Sequence, residues 1–168
     1  MADYYSPTVI PAVIPNTDMT ALECLLLSRI FDAEPDGDGI YFHSWQGPLD
    51  VIQLRRSELA KAVAASRSAK SQVLAYIEER LAGTAENEDE IELDLSGTSW
   101  EFILQDIVRR SASLRYITVT TAFTCSTMRR DGFGGQALFI TAAAIKGCST
   151  AEFLSDCLAE FVSGPGSV

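Results

Sequence analysis

Histidine is almost absent from this chain: His43 is its one copy in 168 residues. That excludes a multi-histidine metal centre built within one molecule. Cysteine is sparse and poorly spaced. Cys24, Cys125, Cys148 and Cys157 contain no C-x-x-C pair, and three of them fall on apolar faces of expected elements. This predicts buried, reduced thiols rather than a disulfide framework or a zinc site. No apolar run approaches the roughly 20 residues that cross a bilayer. The opening MADYYSPTVIP lacks a charged-then-apolar export pattern, so the expected compartment is the cytoplasm and no membrane partner is expected. Positive charge is also short, with 13 Lys and Arg against 23 Asp and Glu and a net charge of −10. Such a chain repels nucleic acid as a whole and favours basic protein surfaces. Neither G-x-x-x-x-G-K-[ST] nor G-x-G-x-x-G occurs, so no nucleotide cofactor is implied. No spaced acid pair, triad or metal set points to a particular reaction.

What is present is one folded domain's worth of sequence, enough to bury about two thirds of its unfolded surface. The pattern predicts an α+β domain over residues 18–163, with an extended arm at 1–17 and a short tail at 164–168. Its mixed or antiparallel sheet has about five strands, at 40–45, 50–54, 91–95, 116–125 and 136–141. Helices are expected at 20–33, 57–82, 99–111 and 150–162.

The decisive stretch is Tyr116 to Thr141. Ile117, Val119, Phe123 and Cys125 alternate with Thr118, Thr120 and Thr124, which gives a strand one apolar and one threonine face. In the arm, Pro7, Pro11 and Pro15 forbid helix and hold the chain extended. The apolar residues between them imply packing across the domain or across a second subunit, so a homo-oligomer through the arm is one expectation.

Thr20 and Glu23 form a capping box ahead of ALECLLLSRIF. The acids of 32–39 open like a calcium loop, but His43 stands where the twelfth ligand belongs, and an acidic turn is expected there. IYFHSW and DVIQL read as strands around a Gln46–Gly47–Pro48 turn. The serine-rich stretch near 66–68 is a place for the long helix to break. Thr98 and Glu101 make a second box before the strongly periodic Trp100 to Ser111, and Ser149 and Glu152 make a third. On the last helix, Phe153, Leu154, Cys157, Leu158, Phe161 and Val162 share one face, opposite Glu152, Asp156 and Glu160.

Two regions carry candidate function. Glu86, Glu88, Asp89, Glu90, Glu92 and Asp94 crowd six acids into nine positions, and form a candidate contact surface for a lysine- and arginine-rich protein. The connection 126–135 is long for a hairpin. It combines Arg129, Arg130 and Asp131 with Gly132, Gly134 and Gly135. Guanidinium groups suit phosphate or carboxylate, and glycines let backbone approach a ligand. The structural alternative pairs Arg130 with Asp131 and buries Phe133 as a plug. A Cys125–His43 pair is a further thought, with nothing in the spacing to bring the two together.

Residues 96–111 (SGTSWEFILQDIVRRS) and 122–145 (AFTCSTMRRDGFGGQALFITAAAI) are similar to small proteins of unknown role from proteobacterial genomes and plasmids. The similarity covers roughly residues 96–160, and its most specific part is C-S-x-M-R-x-D-G-F-G-G. Gln136 and Ala137 depart from the methionine and small residue expected there. The resemblance implies no activity, only a gene that travels with accessory or mobile DNA. Two readings follow. One is a noncatalytic acidic interaction protein, such as an antirestriction or anti-CRISPR inhibitor acting on a basic surface. The other is an enzyme or small-anion binder that uses loop 126–135.

Overall fold

The computed structural model describes residues 2–69, 71–83, 89–130 and 132–163. Among them the elements run β1 (Tyr4–Tyr5), β2 (Thr8–Pro15), α1 (Ala21–Ile30), β3 (Asp32–Asp36), β4 (Gly39–Ser44), β5 (Val51–Arg55), α2 (Arg56–Ser66), α3 (Gln72–Gly83) and β6 (Glu90–Asp94). Then come α4 (Trp100–Arg110), β7 (Tyr116–Cys125), β8 (Gly134–Thr141), β9 (Ile145–Ser149) and α5 (Thr150–Ser163). The α+β class holds, with antiparallel pairing throughout.

A seven-stranded sheet has the order β3-β4-β2-β7-β8-β9, with β1 also on β7; β5 and β6 form a separate two-stranded ribbon. Most of β7 follows its alternation: Ile117, Val119 and Cys125 are buried while Tyr116 and Thr120 face water, but Phe123, expected on the buried face, is 38% exposed. Ile117 and Val119 join Ile10, Ile14, Phe42 and Ile140 on the covered face of the sheet. Against these pack Leu22, Leu26 and Leu27 of α1 and Ile103, Leu104 and Ile107 of α4, in one continuous core that reaches α2, α3 and the ribbon. The opposite sheet face is open at Val9, Tyr116 and Phe139, the last two stacked at 5.1 Å.

The N-terminal segment is extended, as its prolines require, and it lies across the domain as part of the large sheet. Tyr4 pairs Cys125 and Thr8 pairs Thr121 in one unbroken register, so residues 4–9 run along β7 as a single line. Pro7 O accepts from Ala122 N–H at 2.9 Å, but proline has no N–H to return, and the strand is interrupted there between β1 and β2. Pairing of β2 with β7 stops at Val9, and Pro11 sits in the irregularity between Ile10 and Ile14 where β2 shifts register against β4.

Other expectations need correction. The acidic segment after α1 is not a turn: Asp32–Asp36 is an exposed edge strand, where Pro35 is tolerated. The turn proper lies at Gly37, whose φ of 55° suits glycine. Strands 40–45 and 50–54 are not partners, because β4 joins the large sheet and β5 pairs β6. The long helix does break, between Ser66 and Gln72. The Thr98–Glu101 box does not form; Ser99 is the N-cap and makes no side-chain cap bond. The boxes at Thr20–Glu23 and Ser149–Glu152 both form. β9 went unforeseen, since IKGCS has no alternation. The last helix keeps its apolar stripe but buries no residue.

Candidate functional site

The 126–135 connection is built at the junction of three segments. β1 lies against the end of β7, and Ser126 is held from both sides: its N–H donates to the Asp3 carbonyl at 2.9 Å and its hydroxyl accepts from Asp3 N–H at 2.9 Å. The chain then turns tightly, with Arg129 N–H donating to Thr127 O at 2.8 Å. Gly132 passes so close beneath that a Cβ there would lie 2.7 Å from Cys125 Cβ. That contact, rather than a special backbone angle, is why glycine stands at 132. At the far end Gly135 N–H donates to Thr150 Oγ1 at 3.2 Å, which ties the loop's exit to the start of α5.

This geometry gathers Cys125, Thr127, Tyr4 and Arg129. Arg129 Nη1 donates to Tyr4 Oη at 3.1 Å, and Cys125 Sγ lies 3.6 Å from Thr127 Oγ1. The thiol is held below its ordinary pKa, chiefly by the Thr127 backbone N–H and then by the Thr127 hydroxyl, with smaller help from Tyr4 and the Arg129 charge. Burial opposes the shift. Together these groups set hydrogen-bond donors and one positive charge around a thiol whose anion they stabilise. Arg130 is exposed, and Asp131 lies outside the described residues. Phe133 is no plug, since half of it is open to solvent. The edges of the loop, Gly134 and Gly135, already belong to β8.

The acidic surface is more mixed than its sequence suggests. Glu86 and Glu88 lie outside the described residues. Glu90, Glu92 and Asp94 all project from the exposed face of β6, while Ile91 and Leu93 enter the core. Glu90 stands opposite Arg55 across the ribbon, and Asp89 accepts from Arg56 N–H at 2.8 Å through its carbonyl. A groove of about 600 Å³ beside Glu90 is lined by Arg29, Arg55, Lys61 and Glu58, and Arg29 pairs with Glu58 at 3.3 Å. Negative charge is therefore cleanest at Glu92 and Asp94. Asp94 is kept ionised below the usual carboxylate range by hydrogen bonds from Ser96, hydroxyl first and then backbone, with Arg80 adding a small attraction.

A second acid row was missed. Asp32, Glu34 and Asp36 share one exposed face of β3. The i, i+2, i+4 spacing is visible in DAEPD, but Pro35 and the nearby glycines disguised it as a turn. His43 on β4 lies against this row: Nε2 is 3.1 Å from Glu34 Oε1 and Nδ1 is 3.9 Å from Asp32 Oδ2. His43 is level with Val9 and hence with Thr120. Cys125 is five residues further along β7, roughly 16 Å along the strand and two strand spacings across. The two side chains form no pair. Cys125 is buried and Cys24 half-buried, but Cys148 and Cys157 are exposed, against the expectation of hidden thiols; all four are free. Among the described residues no group of three His, Cys, Asp or Glu is placed to hold a metal ion, and no helix is long and apolar enough to cross a membrane.

No family model matches the chain, and no curated protein or solved structure matches it.

Proposed function

We propose that the protein is a noncatalytic cytoplasmic binder whose exposed carboxylate rows occupy a basic protein surface, in the manner of an antirestriction or anti-CRISPR inhibitor of a nucleic-acid-processing system. The observation that carries this reading is the regular placement of acids along exposed strand faces, Glu90, Glu92 and Asp94 on β6 and Asp32, Glu34 and Asp36 on β3. Alternate residues of a strand stand about 6.6–6.8 Å apart. One DNA strand carries a phosphate about every 3.4 Å. Each row thus offers about half the axial charge density of a nucleic-acid strand. A cationic channel attracts such a row over long range, and salt weakens the attraction.

The test is retention of host proteins on the immobilised chain under rising salt. Wild type is expected to hold a basic nucleic-acid-handling protein that elutes as salt increases. The triple variant Glu90→Lys, Glu92→Lys, Asp94→Lys is expected to hold none. Equal retention by both proteins rejects the reading.

A second reading rests on the Arg129–Tyr4–Cys125 cluster: a small-anion or thiol site at loop 126–135. It predicts that phosphate or sulfate raises the melting temperature of wild type and not of the Arg129→Ala, Arg130→Ala variant.

A further inference from the structure

An amphipathic helix with its apolar face open to solvent is an anomaly in a folded chain. α5 spans 14 residues and buries none of them. Phe153, Leu154, Leu158, Phe161 and Val162 are each between 59 and 80% exposed. At roughly 100–150 Å² apiece these five present about 600 Å² of apolar surface, at the upper limit for the largest patch of a typical monomer. The helix cannot fold back to hide them. β9 ends at Ser149 and α5 begins at Thr150 with no connecting residue, whereas reversal onto a neighbouring element takes a loop of a few residues. The Ser149–Glu152 box and the Thr150 contact with Gly135 fix the junction further.

The same molecule also carries an unfilled apolar receptor. Between α4 and the β8–β9 end lies an open groove of about 450 Å³ lined by Phe102, Leu138, Ala143, Ala144 and Ile145, with Ser99, Glu101 and Gln105 along its polar side. Phe102 is 42% exposed there, on a helix whose Ile103, Leu104, Ile107 and Val108 are buried.

We propose that two copies of this chain exchange their C-terminal helices, the apolar face of each α5 seated in the α4/β8–β9 groove of the other. A surplus face and a vacant groove on one chain are the two halves of a self-complementary contact, which a two-fold axis satisfies twice. Reciprocal burial of both helices covers on the order of 1,500–2,000 Å², the size of a stable specific interface. A membrane surface fits less well. Thr150–Ser163 contains no Lys or Arg, and its polar face carries Glu152, Asp156 and Glu160, the wrong sign for anionic lipid. This surface is separate from the acid rows of β3 and β6, so either proposal can fail alone.

Light scattering on the eluted protein at about 10–100 µM, where an interface of this size associates, tests it directly. Wild type is expected at twice the 18.3 kDa chain mass. Leu158→Asp on the helix and Phe102→Asp in the groove are each expected to halve that mass. Both sites are exposed, so circular dichroism should be unchanged; Ala144→Glu replaces Phe102→Asp should the latter unfold. Cys157 sits within the apolar stripe and is exposed in the single chain. Its alkylation should therefore be slow in wild type and fast in both variants, with exposed Cys148 as the internal reference. A monomeric wild type overturns the proposal, as does a dimer that survives Leu158→Asp. So does a dimer lost in Leu158→Asp but kept in the groove variants, which would place the helix elsewhere. A monomer that cosediments with phosphatidylserine vesicles overturns it in favour of a membrane.

Discussion

Replacing Glu23 by alanine removes the carboxylate that ties the start of α1 to the end of α4. Glu23 is fully buried. Its Oε2 accepts from Thr20 N–H at 2.9 Å and from Arg110 Nη2, while its own N–H donates to Thr20 Oγ1 at 3.2 Å. Removing one partner of a buried ion pair costs about 3–5 kcal/mol, because the other charge stays behind. Here the Arg110 side chain is 25% exposed, so water recovers part of that cost. Glu23 Oε1 also has no hydrogen-bond partner, and its removal relieves a small penalty. The lost half of the capping box adds about 1 kcal/mol. The expected loss is about 3 kcal/mol, a large share of the 5–15 kcal/mol that holds a domain together. With a urea slope of about 2 kcal/mol/M, the midpoint should fall by about 1.5 M. Trp100, edge-on to Phe31 at 5.3 Å, reports the transition by fluorescence. Thr20→Ala, which removes only the hydroxyl cap, should lower it by about 0.5 M. A Glu23→Ala midpoint no lower than that of Thr20→Ala refutes an energetically significant Glu23–Arg110 pair.

Gly39→Ala should lower the melting temperature by several degrees, because the new Cβ meets Ile14 O at 2.6 Å and Ile14 C at 2.9 Å, backbone that moves only with the whole of β2. The cost is about 1–3 kcal/mol, read by calorimetry, and an unchanged transition would sink the steric reasoning. For Cys125, the pH midpoint of iodoacetamide labelling should lie below that of an ordinary thiol, since its hydrogen bonds favour the thiolate. Lowering the pH through that depressed midpoint reprotonates the sulfur and slows the reaction. Thr127→Val, which deletes the hydroxyl but not the N–H, should move the midpoint upward; mass spectrometry of the Cys125 peptide decides, and an unmoved midpoint counts against the assignment.

Legibility in the sequence followed the strength of local pattern. β7 was readable because threonines alternate with large apolar residues over ten positions, and α4 because Trp100, Ile103, Leu104, Ile107 and Val108 keep helical spacing. Ser66 marks the end of α2: its hydroxyl donates locally to Ala62 O at 2.7 Å, and it also accepts from Leu22 N–H at 2.9 Å, a contact with α1 that the sequence does not show. β3 was misread because Pro35 signals a turn on local grounds, and only long-range pairing shows that it falls on an edge and that Pro11 of the extended N-terminal segment falls where β2 shifts register. The loop was recognisable from its glycines and arginines, but not the approach of Tyr4 to Arg129, which are 125 residues apart. The apolar stripe of α5 was equally plain; that no described element buries it is a property of the assembled fold and has no local signature.

The position of the first strand has a consequence for biosynthesis. Residues 4–9 leave the ribosome well before the strand they zip against, Thr120 to Cys125, which follows more than a hundred residues later. At about 5–20 residues per second, the nascent chain waits roughly 6–20 s with Val9 and Ile10 unsheltered. The large sheet therefore closes late, and an affinity tag fused ahead of Tyr4 would burden that final step rather than trail harmlessly from the finished protein.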